Sequence, residues 1–133
     1  MKTTFDVLDI LYPLVNVSTV TTLLDGKVFR TAKPPNRTTK DVVVLSLPIT
    51  DKQESITQEC TAVINCYAPN INDLPDSLTI KGVVDAVVDA LEAYSHTSTY
   101  YVIQPTSQLM LQDQDNPDMS YGSIRADIQI QSI

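Results

Sequence analysis

Glycine is scarce in this chain. There are three in 133 residues, Gly26, Gly82 and Gly122, far apart from one another. A phosphate-cradling loop or a dinucleotide fingerprint needs glycines clustered within a few positions, so neither is expected. Histidine is scarcer: His96 is the only one. No cysteine lies near it in sequence, and its place after a predicted helix reads as a helix-end residue rather than a catalytic one. The two cysteines, Cys60 and Cys66, fall in one predicted strand. Six positions apart they share a face but stand roughly 20 Å from each other, too far for a disulfide. Both read as small buried hydrophobes of a protein made for a reducing compartment. A nucleophile pair of Cys66 and His96 has little support, because Cys66 lies on the face assigned to the core, where a thiol is inert.

Long apolar runs are also missing. None approaches the about 20 residues that a membrane-spanning helix requires. The first stretch, MKTTFDVLDILYPL, breaks its apolar residues with acids and is not expected to act as a signal peptide, whose apolar core is uncharged. Positive charge is short: nine Lys and Arg against sixteen Asp and Glu, a net charge of -7. General nucleic-acid binders carry a basic surplus, because phosphate neutralisation supplies most of their affinity.

What is present suffices for one folded domain. Apolar residues make up 43% and charged residues 19%, and the apolar ones recur with the periods of helices and strands. A helix is expected over 4–16, with Val7, Leu8, Leu11, Leu14 and Val15 in one stripe. Pro13 should end it near Tyr12 or bend it. A short second helix capped by Ser18 should stop at Gly26 in a left-handed conformation. KVFRT (27–31) reads as a short strand, and DVVVLSL (41–47) as a strand covered on both faces. PITDKQESITQE (48–59) is a candidate hairpin arm, and CTAVINCYA (60–68) is the next strand. The strongest helix spans 78–95: Val83, Val84, Val87, Val88 and Leu91 face one way and Lys81, Asp85, Asp89 and Glu92 the other. TYYVIQ and SQLMLQ form one strand interrupted at Pro105, which marks an edge or a bulge. SIRADIQIQSI alternates strictly, with Ile124, Ala126, Ile128 and Ile130 inward. The expected fold class is α+β: a mostly antiparallel sheet of about 4–5 strands packed against the 78–95 helix and a short N-terminal helix.

Chemistry-bearing patterns are few. Asp113, Asp115 and Asp118 share a turn, but Pro117 stands where a calcium loop needs its third ligand, and the later Gly and Glu are missing. No catalytic, cofactor-binding or metal-ligating residue is expected. One feature does stand out. Lys27, Arg30, Lys33, Arg37 and Lys40, five of the nine basic residues, fall in one window around Pro34-Pro35. Consecutive prolines favour an extended, solvated path.

Two motifs carry a resemblance. Gly26-Lys27-Val28-Phe29, following ILYPLV, precedes the proline loop and DVVVLSLPI. Ile64-Asn65-Cys66-Tyr67-Ala68-Pro69-Asn70 then precedes a loop and an amphipathic helix. This order resembles the tail-completion and tail-terminator proteins of tailed bacteriophages, over most of residues 8–95. Cys66 departs from the β-branched residue usual at that place. The resemblance implies a small α+β structural subunit without catalytic residues or cofactor. It further implies a homo-oligomeric ring, hexamer or dodecamer, around the DNA channel of a virion neck or tail, assembled in the bacterial host cytoplasm and touching neck, connector or tail-tube proteins. DNA would pass through unbound, and no membrane is involved. In such a ring the loop 31–40 serves as a basic arm. The expected subunit-interface residues are then Lys27, Arg30, Lys33, Pro34, Pro35, Arg37 and Lys40, meeting Asp85, Asp89 and Glu92 or the 113–118 turn of a neighbour. The alternatives are a small nucleic-acid-binding domain that uses residues 27–40, and a loop that is merely solvated.

Overall fold

In the computed structural model, residues 4–46, 50–51, 57–97 and 101–131 are described. The elements are α1 (Thr4–Val15), α2 (Ser18–Thr21), β1 (Val28–Arg30), β2 (Val42–Ser46), β3 (Thr50–Asp51), β4 (Thr57–Pro69), α3 (Ser77–Thr97), β5 (Tyr101–Gln112) and β6 (Met119–Gln131). The fold is α+β, a mostly antiparallel mixed sheet packed against α3 and α1.

The sheet runs β1-β2-β4-β6-β5, with β3 paired to β4. β5 and β6 pair as a hairpin after α3, and β2 and β3 pair antiparallel with β4 before it; the β4–β6 pairing joins the two groups into one sheet. β4 pairs with β6 along its whole length, from Thr57 opposite Gln131 to Pro69 opposite Met119, so the last strand inserts between β4 and β5. β1 and β2 are parallel, with Val28 opposite Val42. Parallel neighbours need a crossover rather than a tight turn, and the loop between them supplies it.

One face of the sheet holds the core. Val42 and Val44 of β2, Cys60, Ala62, Ile64 and Cys66 of β4, and Ile124, Ala126, Ile128 and Ile130 of β6 are buried there. They pack against Val83, Val87 and Leu91 of α3 and Val7, Leu8, Leu11 and Val15 of α1. α3 is valine-rich and a poor helix former by propensity. Its stability comes from the buried stripe, at roughly 1.5–3 kcal/mol per fully buried side chain. Asp76 caps it: its carboxylate accepts from the Thr79 main-chain N–H at 3.3 Å and from the Thr79 hydroxyl at 2.7 Å. The helix lies close on β6 because Gly122 has no side chain. A Cβ there would stand 2.7 Å from Ile80 Cγ2 and 2.9 Å from Val84 Cγ2.

Several expectations are corrected. α1 does not end near Tyr12 but continues through Pro13 to Val15: a proline in the last turn removes one hydrogen bond, and Asn16 N–H still bonds Tyr12 O at 2.8 Å. Val17 rather than Ser18 is the N-cap of α2. No glycine among the described residues has a positive φ, so Gly26 is not a left-handed stop. α3 reaches Thr97, which places His96 within its last turn; the His96 side chain lies outside the described residues. Of the expected arm over 48–59, Thr50 and Asp51 (β3) pair antiparallel with Glu59 and Gln58 of β4, while 48–49 and 52–56 lie outside the described residues. Pro105 sits on an edge strand at a bulge, as the sequence suggests.

Candidate functional site

The chemistry of the molecule gathers on the other face of the sheet, under the 31–40 loop. The outward residues of β2 and β4 are Val43, Leu45, Asn65 and Tyr67. The loop, with the turn between β5 and β6, encloses a cavity of about 500 Å³ against them. Val43 is buried on this side, so the loop gives β2 the second cover that its unbroken apolar run requires.

Asp41, at the start of β2, organises the loop. Its side chain is fully buried. Oδ2 accepts from Arg37 Nε at 2.9 Å, and Oδ1 accepts from Arg37 Nη2 at 3.1 Å. This is the two-pronged fit of guanidinium and carboxylate. The Thr39 hydroxyl lies 3.1 Å from both oxygens, and the Lys27 main-chain N–H donates to Oδ1 at 2.9 Å. Burial pushes the Asp41 carboxyl upward in pKa, but Arg37, the Lys27 N–H and Thr39 outweigh it and hold it below the usual carboxylate range. Arg37 is shifted upward by its bond to the same carboxylate, and its guanidinium lies over the Phe29 ring at 4.8 Å. The main chain of Asp41 links three strands, because its carbonyl accepts from Tyr67 N–H at 2.7 Å and the next N–H, Val42, bonds Lys27 O at 3.0 Å.

Gly26 gains its reason here. A Cβ on it would sit 1.8 Å from Asp41 Oδ1 and 2.6 Å from the Lys40 carbonyl oxygen. The glycine of the Gly-Lys-Val-Phe motif is required by close approach, not by a turn. The second motif ends on a comparable device. Asn70 donates to Pro117 O at 3.1 Å and accepts from the Ser120 hydroxyl at 2.6 Å, tying the end of β4 to the β5–β6 turn.

Lys33 enters the cavity from the loop. Its ammonium lies 3.7 Å from the centre of the Tyr67 ring and 4.0 Å from Asp113 Oδ2. Desolvation lowers its pKa, with Asp113 and Asp41 opposing and Arg37 adding to the shift. Lys33 Nζ and Asn65 Oδ1 are buried without a hydrogen-bond partner among the described residues. Burial, with Asp113 next, raises the Tyr67 hydroxyl to about 12. In the 113–118 turn, Asp113 Oδ1 accepts from the Asp115 N–H at 3.1 Å, and no group of three or more His, Cys, Asp or Glu side chains that could hold a metal ion is found among the described residues.

The predicted site residues therefore separate. Arg37 and Lys33 are tied to carboxylates of their own chain, and Arg30 pairs with Asp9 of α1 beside the Tyr12 ring. Pro34 and Pro35 form the exposed crest of the loop, and the Lys27 side chain is exposed. Lys40 is half-buried; its N–H donates to Asp25 Oδ1 at 2.6 Å. Asp85, Asp89 and Glu92 are exposed on α3, on the far side of the sheet, with Asp85 paired to Lys81 at 2.6 Å. Sequence reasoning passed over Asp41, Asn65 and Tyr67 because it treated them as strand residues. The usable signal for Asp41 was an acid opening a valine run four positions after an arginine.

Among the described residues no helix is long and apolar enough to cross a membrane. No protein-family model matches the chain, and no curated protein matches it.

Proposed function

We propose that this protein is a structural subunit of a bacteriophage neck or tail, one that works by assembling into a ring around the DNA channel. The observation that supports this reading most is the placement of its two motifs. Gly26-Lys27-Val28-Phe29 leads from a short N-terminal helix into β1, and Ile64–Asn70 ends β4 before a loop and the amphipathic α3. That is the order the resemblance to tail-completion and tail-terminator proteins implies. Each motif also has a local physical role, Gly26 under Asp41 and Asn70 against the β5–β6 turn. The acidic helix face and the basic loop lie on opposite faces of the sheet, an arrangement that suits unlike surfaces meeting between neighbours.

The nucleic-acid reading draws less support. A phosphate-binding loop needs cations free to meet phosphate, whereas Arg30, Lys33 and Arg37 each have a carboxylate partner within their own chain. Native mass spectrometry with negative-stain microscopy of the purified protein tests the ring. A six- or twelve-fold particle with a central channel is expected. A monomer that persists at high concentration overturns the reading.

A further inference from the structure

Among the described residues, large apolar side chains are exposed at Phe5 on α1, at Leu23 after α2, at Ile71, Leu74 and Leu78 around the start of α3, and on β5. Only β5 combines them with an open sheet edge, since it ends the strand path and has β6 on one side alone. An open edge presents a row of main-chain N–H and C=O groups, which natural proteins blunt with charge, proline, bulges or short length. β5 is 12 residues long. Its first part is guarded by Pro105 and the bulge between Pro105 and Ser107. Residues 106–112, TSQLMLQ, contain no charge, proline or glycine. Leu109 is 61% exposed, Met110 40% and Leu111 39%.

We propose that residues 106–112 pair with the same segment of a second copy of this chain, as antiparallel strands related by a two-fold axis at Met110. The register on β6 sets Leu109 opposite Ser123 and Leu111 opposite Tyr121, on the face away from α3, with Met110 opposite Gly122 on the helix face. Centring the axis on Met110 brings Leu109 of each copy against Leu111 of the other. Four leucines then cluster on one face and two methionines meet on the other, as cross-strand neighbours do.

Charge and length select the occupant. Each copy carries a net charge of -7, so two like faces of this chain meet with least repulsion where they carry no charge, and 106–112 is such a surface. The opposite edge, β1, has three residues, includes Arg30 and adjoins the closed loop. It offers no strand of matching length, whereas β5 matches itself. A two-fold contact differs from the head-to-tail contact that closes a ring, so this inference goes beyond the ring reading and fails separately from it.

The experiment compares the wild type, the Leu109→Lys/Leu111→Lys double variant, Met110→Cys and Phe5→Lys by native mass spectrometry and sedimentation over a concentration series at low and high salt. The wild-type mass should be an even multiple of the chain mass, and self-association should strengthen with salt as the like charges are screened. The double variant should halve that mass or weaken association at least tenfold while its circular dichroism stays at the wild-type value and its melting temperature matches that of wild type diluted until both are dissociated. Mild oxidation of Met110→Cys should give a disulfide-linked dimer, because residues on the axis face each other within disulfide reach. Cys60 and Cys66 are buried, so the wild type should not cross-link. Phe5→Lys should keep the wild-type mass. A monomeric wild type overturns the proposal, as does Met110→Cys that fails to cross-link. A ring that survives the double variant intact also overturns it and leaves the ring reading standing. A dimer that the double variant splits, and that never grows larger, supports the proposal and overturns the ring reading.

Discussion

The sheet ends differently on its two flanks. At the β1 flank the strand is three residues long and the chain folds back over it, with five of the nine basic residues between positions 27 and 40. At the β5 flank the strand is 12 residues long, carries no charge and has nothing beyond it among the described residues. The first flank is closed by polar pairs whose partners all lie in the same chain. The second is left to main-chain groups and leucines. A chain that pairs Arg30, Lys33 and Arg37 within itself on one side and leaves uncharged residues outside on the other has separated folding from association. Charge fixes the monomer, and the neutral edge is what remains for a neighbour.

The largest effect that would break this contrast is at Asp41. Replacing a buried carboxylate and leaving its partners behind costs about 3–5 kcal/mol in general. Arg37 is partly exposed and can turn to water, so Asp41→Ala should cost about 3 kcal/mol, the lower end of that range. Equilibrium urea unfolding of a β5 double variant in parallel checks it. At a dilution where both chains are dissociated, the Leu109→Lys/Leu111→Lys chain should unfold within about 0.5 kcal/mol of wild type, as exposed substitutions do. Equal losses at the two flanks would erase the distinction. The acid limb sharpens it further. The Asp41 carboxyl titrates lower in the folded protein than in the unfolded chain, so the stability it contributes is fully present above about pH 4 and is lost as pH falls through the folded value. Asp41→Asn should flatten that part of the pH–stability curve, and an unchanged acid slope would remove Asp41 from its central place.

Next comes Arg37. From the sequence, a triple reversal of Lys33, Arg37 and Lys40 to Glu looks harmless to folding, since loop charges are usually solvated. The buried Asp41 overturns that expectation. Arg37→Glu sets one carboxylate against another that has no access to water, and it should lower the melting temperature more than Lys40→Glu does. If the two single reversals melt together, the Arg37–Asp41 pair is a surface ornament and the closed flank is not closed by charge.

The order of these effects also marks what the sequence made legible. Strand and helix positions followed from period: the alternation over 124–130 and the valine stripe of α3 leave little freedom once one face must be buried. Pro105 announced an edge because it cannot donate to a ladder. The insertion of β6 between β4 and β5 was not legible, because pairing between distant strands depends on which apolar faces meet, not on any local signal. The loop misled for a related reason. Five cations in a window look like an arm, yet Arg30, Lys33 and Arg37 meet Asp9 of α1, Asp113 of the β5–β6 turn and Asp41 at the loop's own end. The one mark of Asp41 in the sequence is its place at the head of a valine run four positions after Arg37; its neighbours decide its burial.

The smallest effect separates the two cations that close the β1 flank. Arg37 has a matched carboxylate, whereas Lys33 has a carboxylate at 4.0 Å, an aromatic face and no hydrogen-bond acceptor among the described residues. Desolvation opposes its charge, and replacing such a group by an apolar side chain of similar length is often neutral or stabilising. Lys33→Met should therefore change stability by no more than about 1 kcal/mol, in the stabilising direction, with the methionine keeping the contact on Tyr67. The pH dependence gives the sign independently. Because the folded pKa of Lys33 lies below the ordinary 10.5, the folded protein sheds that proton first. Its contribution to stability therefore rises with pH from the folded value up to 10.5 and is level above it. Tyr67 works the other way: raised to about 12, it holds its proton after the unfolded chain has lost one, so its contribution falls as pH climbs from 10 to about 12. The difference between wild-type and Lys33→Met unfolding curves cancels the tyrosine and leaves the lysine. That difference should favour the variant near neutrality and shrink toward pH 10.5. A difference that instead grows with pH would mean that Lys33 is held as a cation by a partner stronger than its surroundings, and that the β1 flank is closed at Lys33 as firmly as at Arg37.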